Sequence, residues 1–450
     1  VLRELHVRDV VSWSALIAGY AEQGQGHEAL DCLMQMQREE VFSPNESTFM
    51  SALKACGSIG DIEKGRQIHD EIVNRGLLVE HVMLGNALVD MYAKCGRLKK
   101  AHQVFEDLHI RDVVSWTSLI AGYVQQGKDY EALDCFALMQ REGVSPNEIT
   151  FNFILEACGS IGAAREGKQI DDTIVSMGLL EKSNMLGTAL VDMYARCGML
   201  AKAKEVLETL SIKDITAWNS IISGYVQHEE GYNSLFCLEQ MRKEGVSPNE
   251  VTLVYILKAC GSIGSIERGK EIHNEILRRR LLEENIVLGT ALIDMYAKCG
   301  MLAKALEVLE ELHVKDTISW NALIAGYAQH RQGLQALECF ERMQREGLSP
   351  DEVTFACLLR ACGSIGALDK GKQIHEEIDN RGFVEKNVML GTALVDMYVK
   401  CGMFVKAQQV LKNLPVRDVI SWNTIITGYA QAGNCSQVLG CFEEMEKEGL

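Results

Sequence analysis

Proline is scarce in this chain, with only 5 among 450 residues. Proline interrupts helices, and its scarcity therefore leaves long helical stretches possible. A sustained alternation of apolar and polar residues, which would indicate strands, is also missing. Helix-forming residues dominate, so we expect an all-α fold. No run reaches the roughly 18 consecutive apolar residues of a membrane-spanning helix, and no membrane segment is expected.

Positive charge is also in deficit, because 45 Lys and Arg face 62 Asp and Glu, for a formal net charge of −17. Such a balance argues against non-specific binding of nucleic acid, which depends on Lys and Arg. The sequence begins at Val1, without Met, and both of its ends fall inside a repeat. We interpret it as a fragment of a longer protein, with any targeting peptide outside it.

Closely spaced cysteine pairs are missing as well, since no Cys-x-x-Cys occurs among the 15 Cys. Thirteen of the cysteines recur at equivalent places in a repeat. Equivalent positions do not pair with one another, so we predict small buried thiols on helix faces in a reducing compartment. The three sets are Cys56, Cys158, Cys260, Cys362; Cys95, Cys197, Cys299, Cys401; and Cys32, Cys135, Cys237, Cys339, Cys441.

The few tryptophans define the repeat. All 5 lie in copies of one stretch, which reads Asp-Val-Val-Ser-Trp-Thr at residues 112–117. The spacings between Trp13, Trp116, Trp218, Trp320 and Trp422 are 103, 102, 102 and 102 residues. A fixed period of this kind indicates one structural unit copied along the chain.

Each unit divides into three sub-repeats of unequal length. In the second unit they span 113–147, 148–183 and 184–214, which gives 35, 36 and 31 residues. We call them the 35-residue, middle and short classes. The first unit carries one extra residue in the segment 38–44. The predicted organisation is the end of a short repeat at 1–9, triplets at 10–112, 113–214, 215–316 and 317–418, and an incomplete repeat at 419–450.

Every sub-repeat has the pattern of two antiparallel helices. In 113–147, Trp116, Leu119, Ile120 and Tyr123 form an apolar stripe at helical spacing, and Gly127 follows as a break. A single hairpin cannot bury its own stripe, so we expect the hairpins to stack into a solenoid.

Two other patterns were considered and set aside. Residues 162–169 resemble a phosphate-binding loop, but no strand precedes them and Gln169 stands where the loop needs Ser or Thr. His69, His273 and His375 each fit the His-x-Glu half of a zinc deaminase site, but the Pro-Cys-x-x-Cys half is missing. We therefore expect no cofactor, no metal site and no enzymatic activity in this chain.

Two positions of each sub-repeat stay small and polar. The first follows the Trp, or the Leu-Gly of the short class, and the second is the last residue of the sub-repeat. In the 35-residue class the pairs are Ser14 with Asn45, Thr117 with Asn147, Asn219 with Asn249, and Asn321 with Asp351, and Asn423 begins another. In the short class they are Asn86 with Asp112, Thr188 with Asp214, Thr290 with Asp316, and Thr392 with Asp418. The middle class breaks the rule, with Met50, Asn152, Val254 and Ala356 at the first position.

Capping of the next helix is one explanation for the final Asp or Asn. It leaves the polar residue after the Trp unexplained, since Asn, Ser and Thr are poor helix formers. Side chains that both donate and accept hydrogen bonds, repeated at a regular rise, suit the reading of unstacked bases one by one.

The sequence resembles plant organellar pentatricopeptide repeat proteins of the PLS class. The resemblance covers the whole chain and rests on the alternation of 35, 36 and 31 residues and on three motifs. They are Val-Val-Ser-Trp-x-x-Leu-Ile-x-Gly-Tyr, Leu-x-Ala-Cys-Gly-Ser-Ile-Gly and Ala-Leu-Val-Asp-Met-Tyr-Ala-Lys-Cys-Gly. It implies a right-handed superhelical α-solenoid that reads single-stranded RNA, one base per repeat.

The resemblance also assigns roles to residues. The paired positions contact the base, and the residue three before the first of them sandwiches it. Thr with Asp implies G, Ser or Thr with Asn implies A, Asn with Asp implies U, and Asn with Asn implies a pyrimidine. The sandwiching residues are Val11, Met83, Val114, Met185, Thr216, Val287, Ile318, Met389 and Ile420.

By the same resemblance, we expect the recognition part of a C-to-U RNA editing factor of mitochondria or chloroplasts. Its partners would be single-stranded RNA and helper editing proteins on the 36-residue repeats, with no membrane and no DNA. The alternatives are a protein-binding helical-repeat scaffold, or an RNA processing or stability factor without editing.

Overall fold

The computed structural model describes residues 9–38, 43–78, 81–180, 183–283, 285–384 and 387–450. Within these ranges the chain forms 26 α-helices and no strand, which confirms the predicted all-α class. None of the helices in the described ranges is long and apolar enough to span a bilayer. Most of the predicted repeat end at 1–9, and most of the segment with the extra residue, lie outside the described residues.

The helices alternate between the first and the second member of a hairpin. In chain order they are α1 Val10–Glu22, α2 Gly26–Arg38, α3 Glu46–Ile59, α4 Ile62–Asn74, α5 Val82–Lys94, α6 Leu98–Glu106, α7 Val113–Gln125, α8 Asp129–Arg141, α9 Glu148–Ile161, α10 Ala164–Ser176, α11 Asn184–Arg196, α12 Leu200–Thr209, α13 Ile215–Gln227, α14 Gly231–Lys243, α15 Glu250–Ile263, α16 Ile266–Arg278, α17 Ile286–Lys298, α18 Leu302–Glu311, α19 Thr317–Gln329, α20 Gly333–Arg345, α21 Glu352–Ile365, α22 Leu368–Asn380, α23 Val388–Lys400, α24 Phe404–Asn413, α25 Val419–Gln431 and α26 Cys435–Lys447. Each odd-numbered helix begins at the first residue of a predicted sub-repeat.

The chain divides into two compact units, Val1–Gln227 and His228–Leu450. Within the first unit, the odd-numbered helices α1 to α13 form a continuous row, in which each one packs on the next. Within the second unit, α15 to α25 form a row of the same kind. Within each unit, an even-numbered helix packs on the odd-numbered helix before it and on the one after it, as α8 does on α7 and α9, and as α20 does on α19 and α21.

Burial follows the predicted stripes. Trp116, Leu119 and Ile120 of α7 are buried, and Tyr123 is half-buried. Each fully buried Leu or Ile contributes about 1.5–3 kcal/mol of transfer free energy, so stacking supplies what an isolated hairpin lacks. Gly127 has a φ of 65° just beyond α7, a left-handed conformation that ends the helix as its sequence position predicts.

A close approach of neighbouring first helices depends on a helical glycine. A Cβ added to Gly122 of α7 would lie 2.5 Å from the Cβ of Ala93 on α5. Any larger side chain at Gly122 would therefore push the two helices apart. The glycine keeps the row of first helices tight, and it sets the distance between successive pairs of polar residues on that row.

The cysteines are free thiols. The set that contains Cys56 is buried, and so is the set that contains Cys135 except for the half-buried Cys32, whereas Cys95, Cys197, Cys299 and Cys401 are half-buried at the ends of their helices. Burial raises the pKa of Cys56 and of Cys135 to about 12, so both thiols stay protonated at neutral pH. They pack as small apolar groups, as predicted for these two sets.

Candidate nucleic-acid interface

The last residue of each 35-residue and short sub-repeat caps the next first helix. Asn147 accepts a hydrogen bond through Oδ1 from the backbone N–H of Thr150 at 2.9 Å, and Asp112 accepts one through Oδ1 from the N–H of Ser115 at 2.8 Å. The same contact recurs at Asp9, Asn45, Asp214, Asn249, Asp316, Asp351 and Asp418. The capping explanation for these residues is therefore correct, and it has a geometric consequence.

Capping fixes which atom of the side chain faces away from the helix. A backbone N–H donates only to an acceptor, and in the Asn side chain that acceptor is the oxygen. Oδ1 of Asn147 therefore points at the helix, and Nδ2, the other end of the amide group, points away from it. In Asp351 the opposite branch carries Oδ2. An Asn at this place thus presents N–H donors outward, and an Asp presents an acceptor.

The structure brings several predicted pairs into hydrogen-bond contact. Oγ of Ser14 donates to Oδ1 of Asn45 at 3.2 Å. Nδ2 of Asn86 donates to Oδ1 of Asp112 at 3.1 Å. The third direct pair is Asn321, whose Nδ2 donates to Oδ1 of Asp351 at 2.9 Å.

The remaining pairs are arranged differently. Thr117 and Asn147 are joined through Thr150, whose hydroxyl lies 2.7 Å from Oγ1 of Thr117 and donates to Oδ1 of Asn147 at 2.9 Å. The hydroxyl of Thr392 donates to the carbonyl oxygen of Val388 at 3.1 Å, one turn earlier in the helix. Asn219 lies in the first unit and Asn249 in the second, and Asn423 is exposed on α25.

Two of the first-position side chains carry an oxygen without a protein partner. Oδ1 of Asn86 and Oγ1 of Thr188 are buried, and within the described part of the chain no group hydrogen-bonds to either. A buried polar atom without a partner costs about 1–3 kcal/mol and calls for an explanation. Its presence at two equivalent positions of the short class is consistent with a place kept for a ligand.

Apolar side chains flank the pairs and are exposed. Eight of the nine predicted sandwiching residues are large and apolar, and their exposed fractions range from 45% to 81%. The ninth, Thr216, is exposed too. Each occupies the second position of a first helix, so the exposure recurs along the row. Apolar groups repeatedly placed in water mark a binding surface.

The middle repeats carry the same feature, which the sequence interpretation missed. The second positions of their first helices are Ser47, Ile149, Val251 and Val353, all exposed. Three of the four are β-branched apolar residues with exposed fractions near one half, from 49% to 56%. The sequence offered a signal for this exposure, because each of these residues stands two positions after the last residue of the preceding sub-repeat, as the predicted sandwiching residues do. The apolar row therefore runs through all three classes within each unit.

Three recesses open where a pair lies between successive sandwiching residues. In the first unit, Thr188 and Asp214 lie between Met185 and Thr216 in a recess of about 630 Å³. A second, of about 420 Å³, places Asn86 and Asp112 between Met83 and Val114. In the second unit, a recess of about 480 Å³ is lined by Val287, Thr290, Asp316 and Ile318.

Basic side chains stand at the same recesses in spite of the acidic composition. Lys94 forms an ion pair of 2.7 Å with Asp90, and Arg196 forms one of 2.8 Å with Asp192, four residues before it in each case. Lys298 and Lys400 repeat the arrangement. Many other acids are engaged between neighbouring second helices, as in the ion pair of 3.1 Å between Arg342 and Glu310. The linings of the recesses are therefore mixed in charge, as where Arg196 lies with Glu156, Asp192 and Asp214.

The last residue of a middle repeat contacts a glutamate, and Asn285 and Asn387 also cap the next first helix, accepting from the N–H of Leu288 at 3.1 Å and of Leu390 at 3.2 Å. Nδ1 of His81 lies 2.9 Å from Oε2 of Glu46, and Nδ2 of Asn387 donates to Oε2 of Glu352 at 3.0 Å. These glutamates start the first helix of the same sub-repeat. The last side chain is thus engaged by a carboxylate, and the first position offers an apolar residue such as Met50 or Ala356. Both facts explain why the paired pattern stops in this class.

The two patterns set aside in the sequence have ordinary structural roles. Gly162 ends α9 in a left-handed conformation with a φ of 69°, and Gly167 packs within α10. Nδ1 of His273 lies 2.8 Å from the hydroxyl of Tyr296, and His69 and His375 contact Tyr92 and Tyr398 in the same way at 2.9 Å. Burial lowers the pKa of each imidazole. In the described ranges, no three His, Cys, Asp or Glu are grouped to hold a metal.

Comparisons with known proteins cover the chain from end to end. A "PPR repeat family" model matches 8–58, 111–160, 213–262 and 315–364, and a "PPR repeat" model matches 47–77, 86–113, 188–214, 290–316, 392–419 and 420–450. A chloroplastic pentatricopeptide repeat-containing protein of Arabidopsis thaliana is 33% identical over 98% of this chain and 71% of its own length. A mitochondrial one from the same plant is 34% identical over 98% of this chain and 63% of its own length.

Solved structures of the same kind share the fold. The crystal structure of the pentatricopeptide repeat protein PPR10 in complex with an 18-nt psaJ RNA element matches with a TM-score of 0.68 and 19% identity, over 100% of this chain and 70% of that one. The crystal structure of the pentatricopeptide repeat protein PPR10 from maize matches with a TM-score of 0.63 and 19% identity, over 99% of this chain and 69% of that one. The chain spans between about half and 71% of the length of the first curated relatives.

Proposed function

The chain belongs to the pentatricopeptide repeat family, and we propose that it binds single-stranded RNA in a sequence-specific manner, with one base at each paired position. The observation that best supports this proposal is a recess between two exposed side chains of successive repeats. In it lies a polar pair whose hydrogen-bond direction is fixed. A base inserted there would stack between those side chains and meet the pair with its Watson–Crick edge. The RNA-bound structure of PPR10, which shares the fold, supports the proposal.

The capping geometry accounts for what the second residue of a pair would distinguish. Guanine and uracil carry an N–H at the centre of their Watson–Crick edge, which an outward carboxylate oxygen of Asp accepts. Adenine and cytosine carry a bare ring nitrogen there, to which an outward N–H of Asn donates. The preferences implied by the resemblance for Asp, G or U, and the preference for A with Asn follow this rule, and for the pyrimidine read by two Asn the rule favours cytosine over uracil.

The expected target follows from the order of the pairs. From the 5′ end it is A, any base, U, A, any base, G, pyrimidine, any base, G, U, any base, G, pyrimidine. The first base belongs to Ser14 and Asn45, the sixth to Thr188 and Asp214, and the thirteenth to Asn423. The phosphates would pass the basic residues at the recesses, such as Lys94 and Arg196, so modest non-specific affinity accompanies the base readout.

The biological setting is also part of the proposal. Chloroplastic and mitochondrial relatives, together with the 35, 36 and 31 alternation, support a PLS-class protein of a plant organelle. We place this segment in the recognition part of a C-to-U RNA editing factor, with helper proteins on the middle repeats. An RNA processing or stability factor would use the same recognition surface.

Replacing Thr188 with asparagine tests the proposal at one base. The change converts the Thr188 and Asp214 pair into the combination that Asn86 forms with Asp112, so preference at the sixth base should move from G toward U. We expect a change of about 1–3 kcal/mol, as for other base-specific contacts. The measurement is the affinity for four RNAs that differ only at that base.

The reciprocal change Asn86→Thr is the matched control. It should move the preference at the third base from U toward G and leave the sixth base untouched. If Thr188→Asn leaves all four affinities in their original order, Thr188 only packs and the assignment of this position is wrong.

A further inference from the structure

A third residue contacts both members of the pair in the 35-residue class. It is the threonine at the third position of the following helix, which is Thr48, Thr150 or Thr354, each with 0% exposure. The hydroxyl of Thr48 lies 2.6 Å from Oγ of Ser14 and donates to Oδ1 of Asn45 at 2.8 Å. The hydroxyl of Thr354 lies 2.7 Å from Oδ1 of Asn321 and 2.9 Å from Oδ1 of Asp351. Thr150 makes the equivalent contacts.

The short class lacks this contact. Its third position holds Ser115, Ser319 and Ser421, whose hydroxyls donate to the main-chain carbonyl of the capping Asp at 2.8 Å. At the fourth site of this class the residue is Ala217. Ser12, the corresponding residue after Asp9, donates to Oδ1 of Asp9. At Ser115, Ser319 and Ser421 the hydroxyl therefore hydrogen-bonds to the main chain and not to the side chains of the pair.

The threonine restricts what the first residue of the pair can offer a base. The hydroxyl of Thr150 gives its hydrogen to Asn147, so its own oxygen can accept the hydrogen of Thr117. Oγ1 of Thr117 also donates to the carbonyl oxygen of Val113 at 2.6 Å, so this carbonyl and the oxygen of Thr150 share the hydrogen. With that hydrogen held inside the protein, Thr117 presents lone pairs outward. A pair of an acceptor and an outward N–H donor from Asn147 is complementary to adenine, which carries an amino group beside a bare ring nitrogen.

A first-position threonine that lacks this contact can orient its hydroxyl differently. Oγ1 of Thr188 has no hydrogen-bond partner within the described residues, so its hydroxyl can turn outward and donate. A donor beside the acceptor Asp214 is complementary to guanine. Thr188 is thus expected to act as a donor where Thr117 acts as an acceptor, whereas Thr392 of the short class already donates to the carbonyl oxygen of Val388.

We infer that Thr48, Thr150 and Thr354 are specificity-determining positioning residues, which fix the hydrogen-bond direction of the pair without touching the base. This inference rests on the proposed function. It adds a residue of the following repeat, 33 or 34 positions along the chain, to the sites of Ser14, Thr117 and Asn321.

Two variants of Thr150 separate positioning from packing. Thr150→Val keeps the shape and removes the hydroxyl, and the preference for A over G at the fourth base should fall about fivefold, because a hydrogen bond of this kind contributes about 1 kcal/mol. Thr150→Ser restores a hydroxyl and should recover most of the preference. The readout is the ratio of affinities for RNAs that differ only at the fourth base, with thermal unfolding of each variant measured in parallel.

Ser115→Ala is the matched control, since it removes a hydroxyl from the same helix position in the short class and should leave the preference at the third base unchanged. Thr354→Val repeats the test in the second unit, where the preference for U at the tenth base should fall. If Thr150→Val does not fold, the result for Thr354→Val tests the inference instead. An intact preference in these valine variants overturns the inference. A wild-type chain that shows no preference at the fourth base overturns the proposed function itself.

Discussion

Replacing Asp214 with asparagine should move the preference at the sixth base from guanine to adenine. The capping contact holds Oδ1 of residue 214 at the N–H of Ala217, 2.9 Å away, so the substitution exchanges an outward acceptor for an outward donor. Guanine then loses its partner for the ring N–H, and adenine gains one for its bare nitrogen. The lost contact with guanine and the gained contact with adenine are each worth about 1–3 kcal/mol, and both change the ratio of the affinities for A and G in the same direction. Thr188 can serve both bases because its hydroxyl is not held by the protein.

The stability of the fold is expected to change little in this variant, because Asn and Asp are equally good helix caps. Affinities for RNAs with each of the four bases at the sixth position measure the effect. Asp192→Asn provides the control, since Asp192 lines the same recess but pairs with Arg196. Unchanged preference in Asp214→Asn, or an equal change in Asp192→Asn, would show that the capping residue does not contact the base.

Replacing Trp320 with alanine should destabilise the second unit by about 3–5 kcal/mol. The indole is fully buried in α19, and its Nε1 donates to Oε2 of Glu346 at 3.1 Å. The guanidinium of Arg342 lies 5.6 Å from the ring centre. Alanine would leave a cavity and remove the partner of a carboxylate, and α19 packs on both α17 and α21. The loss would therefore spread to neighbouring hairpins.

Chemical denaturation followed by circular dichroism measures this loss. Tyr232→Ala is the control, because Tyr232 is 74% exposed on α14 and its removal should change the free energy of unfolding by less than about 0.5 kcal/mol. Similar losses in the two variants would mean that the tryptophan does not anchor the hairpin stack.

The fold class was predictable because the sequence repeats itself. First helices of the 35-residue and middle classes follow a capping Asp or Asn, and first helices carry an apolar stripe at helical spacing, as in Trp116, Leu119 and Ile120. Local signals of this kind are enough to predict the helices and their starts. The handedness of a stack and the lengths assigned to triplets depend on packing between hairpins, and they stay predictions.

The candidate site was predictable only in part. Comparison among the repeats identified the polar pairs, because Ser14, Thr117 and Asn321 vary within a narrow chemical range. The role of Thr150 was not visible, since its contact with Thr117 joins residues 33 positions apart that only the stacking of α7 on α9 brings together. The exposed second position of the middle repeats, as at Ile149, was missed because the middle class was judged by its broken pairs.

Binding to the expected RNA tests the central claim most directly. The affinity of the chain is measured for a single-stranded RNA with A, U, A, G, pyrimidine, G, U, G and pyrimidine at positions 1, 3, 4, 6, 7, 9, 10, 12 and 13, and for scrambled RNAs of the same composition. Since each mismatched base in specific recognition costs about 1–3 kcal/mol, the expected RNA should bind at least about a hundredfold more tightly than the scrambled ones at the same salt concentration. Equal affinity for the expected and the scrambled RNAs would contradict base-by-base recognition by these pairs.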